Sequence, residues 1–158
     1  VYQDIARLRP SPIVNLWFSV DRAPFDEPFI GLVGSPLHWM FNRSQIEGNV
    51  GGDVLLNCTI SGARAAVEDA PESLQELLRG ELLRYFPTWT PDIRLFRAIK
   101  EKRATISHAA GTYHCRPETV GPIQGLYMAG DWVRTGLPAT IESAVQSGHN
   151  AARVILSG

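Results

Sequence analysis

The sequence has few cysteines and no long apolar run. Its 158 residues include two cysteines, Cys58 and Cys115, and neither belongs to a C-x-x-C pair or has zinc-like spacing. A disulfide-rich scaffold is thereby excluded, and two reduced, partly buried thiols in a cytoplasmic protein are expected. No signal peptide is visible, and the apolar stretches are far below the roughly 18 residues that cross a bilayer. We therefore expect no transmembrane segment.

Strong charge of either sign is also missing. The formal net charge is -1 at pH 7 and no basic block occurs, so nucleic acid is not an expected partner. Lysine occurs only at Lys100 and Lys102. No Ser/His/Asp arrangement can be argued, so the catalytic residues stay unknown. No metal is expected either, because metal-ligand spacing is absent. The histidines lack metal-ligand spacing and are expected to have structural or surface roles: His38, His108, His114 and His149.

The sequence has the composition of an ordinary globular protein, with 44% hydrophobic and 20% charged residues. Branched and aromatic runs predict strands over residues 13–20, 28–34, 37–42 and 53–61. The short spacing of the first three predicts an antiparallel meander. Because the chain opens on Val1 and soon enters a strand-like run, we expect it to be the C-terminal piece of a longer protein.

The period then changes to that of a helix. Leu74, Leu78 and Leu82 recur at helical spacing, Pro71 stands at the start, and Pro87 ends the pattern. Residues 92–99 alternate again and predict another strand. Residues 100–124 are polar and irregular, and we expect them to connect one lobe to another.

The segment from Gly125 onward is the most informative. It predicts a short buried strand over 125–130, an acid at its end, a glycine-bearing loop, and a helix from Pro138 to about Leu156. Gly148 within that helix costs about 1 kcal/mol against alanine, which suggests close approach of another group. The helix has many small side chains, which would admit a backbone or a planar cofactor: Ala139, Ser143, Ala144, Ser147, Gly148, Ala151 and Ala152.

This order of elements suits a ligand with hydroxyls and an electron-rich edge, such as a flavin on its ribityl chain. A carboxylate at Asp131 can accept hydrogen bonds from sugar-like hydroxyls, worth about 1.5–3 kcal/mol each. Gly130 lets the backbone approach a ligand. The helix end carries about half a positive charge, which would stabilise negative charge on a reduced pyrimidine edge.

Residues 129–148 read A-G-D-W-x-x-T-G-L-P-A-T-I-E-S-A-V-x-S-G. This run resembles the C-terminal FAD-binding signature of the flavin amine oxidase and phytoene desaturase superfamily. Within it, the run is most similar to the squalene-associated desaturases, the hydroxysqualene dehydroxylases. Residues 31–43 resemble the substrate-lobe hairpin of that family, and residues 101–105 resemble the segment that leaves that lobe. Plant-type phytoene and ζ-carotene desaturases share the broad pattern.

The resemblance implies FAD as cofactor. Asp131 would bind the ribityl hydroxyls, the backbone of Ala139, Thr140 and Ile141 would face the pyrimidine edge, and Trp132 and Leu137 would lie near the ring. Gly130 and Pro138 complete the expected cofactor-binding set. For an apolar isoprenoid substrate, Trp39 and Phe41 are the expected contacts, since aromatic faces can stabilise cationic carbon.

The expected fold class is α/β, with residues 1–105 as part of a substrate-binding lobe built on a mixed or antiparallel sheet. Residues 106–158 would supply the last strand and helix of an FAD-binding domain. The sequence has no G-x-G-x-x-G, so the ADP half of such a site is missing and the chain alone is expected to be inactive.

The implied reaction is reductive dehydroxylation of hydroxysqualene to squalene. Three alternatives stay open: phytoene or carotenoid desaturation, another flavin amine oxidase acting on a polar amine, and a non-catalytic binding or assembly module. We further expect exposed apolar surface that favours a homo-oligomer, and peripheral membrane contact because the substrate resides in lipid. Substrate length and electron acceptor are not fixed by the sequence.

Overall fold

The computed structural model describes residues 2–48 and 52–157. Within these residues the chain forms helices, strands and a short 3₁₀ turn in the following order: α1 (Tyr2–Ile5), β1 (Pro10–Val20), β2 (Phe29–Gly31), β3 (Trp39–Asn42), α2 (Arg43–Ile46), β4 (Val54–Ser61), α3 (Pro71–Tyr85), β5 (Leu95–Ile106), the 3₁₀ turn (Tyr113–Cys115) and α4 (Ile141–Ser157).

The chain divides into two compact units. Residues 12–102 form one, which we call the sheet unit. The residues up to Ser11 and those from Arg103 onward form the other, which we call the loop–helix unit. This division lies three residues before the expected boundary at 105 and adds the first residues of the chain to the second unit. The identification of the units with a substrate lobe and an FAD-binding segment stays a prediction.

The sheet has the strand order β2-β3-β4-β1-β5. Strands β2, β3 and β4 are antiparallel neighbours, and β4 also pairs with β1, from Ile13 opposite Ser61 to Val20 opposite Val54. The expected meander of the first three strands is therefore wrong for β1. The connection from β1 to β2 contains Pro24 and Pro28, which have no N–H to donate to a hairpin ladder. The predicted α/β class with an antiparallel sheet is confirmed.

One face of this sheet is covered by α3. Strand β1 alternates, so that Leu16 and Phe18 are fully buried while their neighbours are half-buried. From α3, Leu74 and Leu78 reach into the same cluster without exposed surface. A fully buried leucine or phenylalanine contributes about 1.5–3 kcal/mol, so this apolar layer is the main source of stability in the sheet unit.

Strand β5 is longer than expected. The predicted strand over 92–99 and the irregular connector from residue 100 are corrected by a strand over Leu95–Ile106. Charged residues such as Lys102 hide the alternation, and Lys102 forms an ion pair with Glu68 at 2.9 Å. Strand β5 is an edge strand, and charge on an edge strand discourages pairing with other chains.

The loop–helix unit contradicts two further expectations. The predicted strand over 125–130 does not form; Tyr127 makes an isolated bridge with Val120, and among these six residues Met128 alone is buried. A strand needs a neighbouring ladder to satisfy its backbone groups, and in the described part of this unit only one residue pair supplies it. The final helix begins at Ile141 and not at Pro138.

None of the helices in the described residues is long and apolar enough to cross a membrane.

Candidate functional site

The turn at Gly130 requires glycine. Its φ is +137°, and a Cβ built there would lie 2.5 Å from the indole Nε1 of Trp132. The Gly130 N–H donates to Ser147 Oγ at 2.7 Å, which ties the turn to α4. The backbone therefore turns just before Asp131, and the Trp132 ring fills the space where a side chain would otherwise be.

Asp131 is half-buried and keeps part of its carboxylate available. Thr105 Oγ1 donates to Asp131 Oδ2 at 3.1 Å, which fixes the orientation of the carboxylate. Asp131 and Trp132 line a cavity of about 240 Å³ together with Thr105, Leu8 and Pro10. Since one hydrogen bond leaves most of the carboxylate lone pairs free, the group can still accept from a hydroxylated ligand.

Arg116 holds the segment that follows. It is 2% exposed, and its guanidinium donates to the backbone carbonyls of residues 131, 132, 133 and 137. It also reaches Ser143 Oγ in α4 at 3.4 Å. This side chain joins the loop over residues 131–137 to the amino end of α4.

The amino end of α4 is capped by Thr140. Its Oγ1 accepts from the Ser143 N–H at 3.2 Å, and its carbonyl accepts from the Ala144 N–H at 3.0 Å. A helix leaves its first N–H groups without intrahelical acceptors, so those of Ile141 and Glu142 stay available. Because Thr140 is the capping residue, α4 begins at Ile141, and Pro138 lies in the loop before the helix.

One amide expected at the cofactor is occupied by a side chain. The Ala139 N–H donates to His108 Nε2 at 2.8 Å. His108, Leu137 and Pro138 line a second cavity, of about 300 Å³, together with Arg116 and Tyr113. In the described conformation the Ala139 amide is therefore occupied by His108, and the backbone N–H groups that remain available at the start of α4 are those of Ile141 and Glu142.

The structure thus brings the predicted cofactor residues into one neighbourhood. Ser143 Oγ lies 3.5 Å from the Asp131 carbonyl oxygen, so the acid and the helix end are close. The predicted residues are divided between two cavities, however, with Asp131 and Trp132 in one and Leu137 and Pro138 in the other. Their role as cofactor ligands stays a prediction.

The small side chains of α4 hold the loop. Ser143, Ser147 and Ala151 are the buried members of the helix, and both serine hydroxyls bond to the 130–135 segment. A Cβ on Gly148 would meet nothing within 4 Å, so the close approach predicted there is not seen in the described residues. The small side chains of α4 therefore pack against a backbone segment, which is one of the two groups that the sequence predicts to approach this helix.

The predicted substrate residues lie in the sheet unit, on the sheet face opposite α3. Trp39 is 44% exposed and Phe41 is half-buried. Their rings are 6.5 Å apart, and each lies about 6 Å from the ring of Phe29, at 6.0 Å and 5.9 Å. Register places Trp17 in the same row, two strands from Phe41. This face offers an aromatic surface to an apolar ligand.

The groups present fit the ribityl and pyrimidine part of a flavin. A carboxylate oriented by a hydroxyl accepts from alcohols, and free amides at a helix end donate to carbonyl-type oxygens.

Among residues 2–48 and 52–157, no group of three His, Cys, Asp or Glu side chains could hold a metal ion. Cys58 and Cys115 are free and buried, and burial raises the pKa of the Cys58 thiol.

Three residues that support the candidate site through hydrogen bonds were not predicted to do so from the sequence. Arg116 and His108 lie in a segment that was interpreted as a connector, and Thr105 was noted only as part of a resembling run. A buried arginine carries no periodic signal, because its partners are backbone carbonyls distant in sequence.

Comparison with known proteins identifies the class. Residues 1–156 match the family model described as flavin containing amine oxidoreductase. The chain belongs to this family. Its description names a flavin and oxidoreduction, which confirms the predicted cofactor class and reaction class for the family.

Individual relatives agree with this class. The chain is 32% identical to a hydroxysqualene dehydroxylase of Rhodopseudomonas palustris and to another of Zymomonas mobilis, over 92% of its length in each case. It is 24% identical to a 15-cis-phytoene desaturase of Solanum lycopersicum over 98% of its length. The chain spans about a third of the length of these relatives, with 32%, 33% and 28% covered.

Solved structures agree in fold. An oxidoreductase from Methanosarcina mazei superposes with a TM-score of 0.67 at 17% identity, covering 96% of this chain and 36% of that one. A protein from Exiguobacterium sp. 255-15 gives a TM-score of 0.69 at 11% identity, covering 97% and 36%. The fold is thus shared with about a third of each of these proteins.

Proposed function

We propose that this chain is part of an FAD-dependent oxidoreductase that acts on a long isoprenoid, and that the reaction is reductive dehydroxylation of hydroxysqualene to squalene. The observation that carries the proposal is the 30–32% identity to three hydroxysqualene dehydroxylases over 92% of the chain. Identity to two phytoene desaturases is lower, at 23–24%.

The loop–helix unit supports the cofactor half of this proposal. The Asp131 carboxylate, oriented by Thr105, would accept hydrogen bonds from the ribityl hydroxyls. The free N–H groups at the start of α4 would face the pyrimidine edge, where the helix end favours negative charge. When bound and reduced, the flavin supplies a hydride to carbon. The protein's task is to bind and orient the reactants and to exclude water.

The sheet unit supports the substrate half. Trp39, Phe41 and Phe29 form an aromatic surface on the sheet face opposite α3. An apolar chain gains about 25 cal/mol for each Å² that it buries there. Dehydroxylation replaces a C–O bond by a C–H bond, with the hydroxyl leaving as water after it takes up a proton. Aromatic faces stabilise the positive carbon that such a departure creates.

Asp131→Asn tests the cofactor half. In the protein expressed from its complete gene, we expect FAD to bind about 10- to 100-fold more weakly, because a charge-assisted hydrogen bond is replaced by a neutral one. Asp26→Asn, at an exposed position in the sheet unit, is the matched control and should bind FAD like the parent. Equal affinity of the parent and Asp131→Asn, measured by flavin titration, would contradict the assigned role.

Product analysis tests the reaction. The same protein, carrying reduced flavin, is incubated separately with hydroxysqualene and, after reoxidation, with phytoene. Squalene from the first incubation supports the proposal. A newly conjugated polyene from phytoene, with no squalene from hydroxysqualene, would contradict the proposed reaction and support the desaturase alternative. The similarity to the phytoene desaturase of Solanum lycopersicum is the observation that favours this alternative.

A further inference from the structure

We propose that Arg116 is a positioning residue for the cofactor site, which fixes the loop over residues 131–137 before any cofactor binds and leaves a buried positive charge behind it. The inference rests on the proposed function, because the site that Arg116 organises is the one assigned there to the flavin.

The geometry is a cage of carbonyl oxygens around one guanidinium. Nη2 donates to the Asp131 carbonyl at 2.6 Å and to the Val133 carbonyl at 2.7 Å, and Nη1 donates to the Leu137 carbonyl at 2.6 Å. Nε donates to the Trp132 carbonyl at 3.3 Å. These acceptors lie at both ends of the loop, so a single rigid fork determines where the loop starts and where it returns to α4.

Lysine could not replace this arrangement. The guanidinium carries five N–H donors in a fixed plane, whereas an ammonium is a compact point charge with three rotatable donors. Tyr113 adds to the cage, since its ring lies 5.5 Å from the guanidinium carbon and its hydroxyl accepts the Gly136 N–H at 3.0 Å. The loop conformation thus depends on the shape of the Arg116 side chain as well as its charge.

The charge of Arg116 has no carboxylate partner within the part of the chain that the structure describes. Arg134 lies beside it over the same Tyr113 ring, but Arg134 is paired with Glu118 at 2.8 Å. The Asp131 carboxylate is turned toward Thr105, while its backbone carbonyl faces Arg116. The positive charge of Arg116, which lies behind the loop, would favour electron uptake by a group bound there.

Two variants separate shape from charge in the protein expressed from its complete gene. Arg116→Lys keeps the charge and loses the fork, whereas Arg116→Gln loses both. Both should bind FAD about 10- to 100-fold more weakly, because buried carbonyl groups of the loop lose their hydrogen-bond donors and the loop must then be ordered on binding. At saturating FAD, Arg116→Gln should lower the midpoint potential of the flavin, and Arg116→Lys should leave it near that of the parent. Arg153→Gln, which removes an exposed charge from α4, is the control.

Hydrogen exchange of the parent protein tests the inference even if the variants do not fold. Hydrogen exchange of the apoprotein should already show protected amides at Val133 and Arg134, whose N–H groups bond to backbone carbonyls within the unit. Free exchange that becomes protected only with FAD would mean that the cofactor orders the loop, and would overturn the inference.

The remaining outcomes are also decisive. Variants that bind FAD with the affinity and potential of the parent would overturn the inference and leave the proposed function intact. A parent protein that binds no flavin would instead overturn the proposed function, and the inference with it. Weaker binding by both Arg116 variants, with unchanged circular dichroism and a shifted potential in Arg116→Gln alone, is the result that we expect.

Discussion

The sheet unit and the loop–helix unit are stabilised by different interactions. The sheet unit has a continuous apolar cluster, in which Leu16, Phe18 and Leu78 have no exposed surface. In the loop–helix unit, the buried side chains of Arg116 and two serines bond to the loop at residues 130–137. The first kind of interaction tolerates similar side chains, whereas the second depends on individual atoms.

This difference matters for function. A hydrogen-bonded loop can hold backbone groups in one orientation, which a cofactor site requires. On the sheet face opposite α3, Trp39 is 44% exposed and Phe41 is half-buried, so aromatic surface is available there for contact with an apolar ligand. The two units therefore have the properties that the proposed cofactor half and substrate half need.

The largest effect should come from the apolar cluster. We expect Leu78→Ala to lower the free energy of unfolding by about 2–5 kcal/mol, since it leaves a cavity under the sheet. Leu83→Ala on the same helix is the control, because Leu83 is 60% exposed, and it should change stability by less than about 0.5 kcal/mol. Urea unfolding measures both, and equal losses would show that α3 does not pack as described.

A smaller effect should follow from the turn at residue 130. We expect Gly130→Ala to destabilise by about 1–3 kcal/mol, because its positive φ is strained for alanine and the new Cβ would meet Trp132. Gly148→Ala should instead stabilise by about 0.5–1 kcal/mol, since it lies within a helix with open space around it. Thermal unfolding would show opposite shifts; two shifts of the same sign would contradict the description of the loop.

The smallest expected effect is a difference in the rate at which the two buried thiols are modified. Cys58 lies in the sheet unit and Cys115 in the loop–helix unit, and both are buried. Fewer buried apolar contacts should let the loop–helix unit open more easily, so iodoacetamide should modify Cys115 before Cys58. Mass spectrometry of the labelled peptides would detect this order, and the reverse order would contradict the comparison.

The pH dependence of Cys58 has a definite sign. Burial raises its pKa above the ordinary value of 9.0, so the folded state favours the neutral thiol. The stabilising contribution is complete below that value and is lost as the pH rises above it. Cys58→Ala should therefore flatten the decline in stability at alkaline pH, which urea unfolding at several pH values would record.

Much of the sheet unit could be predicted because its signal is local. The alternation around Leu16 and the spacing of Leu74, Leu78 and Leu82 predicted strand β1 and helix α3 at nearly their observed positions. Strand order could not be predicted in this way, since pairing of β1 with β4 depends on contacts distant in sequence. The full length of β5 could not be predicted either, because charged residues interrupt its apolar alternation. An edge strand does not need a fully apolar face.

The candidate site was predicted through its sequence motif and not through its supporting contacts. Gly130 and Asp131 were singled out because a glycine turn followed by an acid has a recognisable chemistry. The strand expected before them was wrong, since Leu126 to Met128 resemble a strand in composition but have almost no ladder partner. Arg116 and His108 could not be found, because their partners are amide and carbonyl groups that any sequence supplies.

The sequence by itself determined the class of this protein, the apolar layers of its sheet unit and the position of its most informative motif, because periodicity and short motifs are properties of neighbouring residues. The tertiary structure alone decided that the loop carbonyls surround Arg116, that Thr105 orients Asp131, and that His108 occupies the Ala139 amide. Those contacts join residues that are far apart in the chain, and each depends on a hydrogen-bond geometry that only the folded backbone creates.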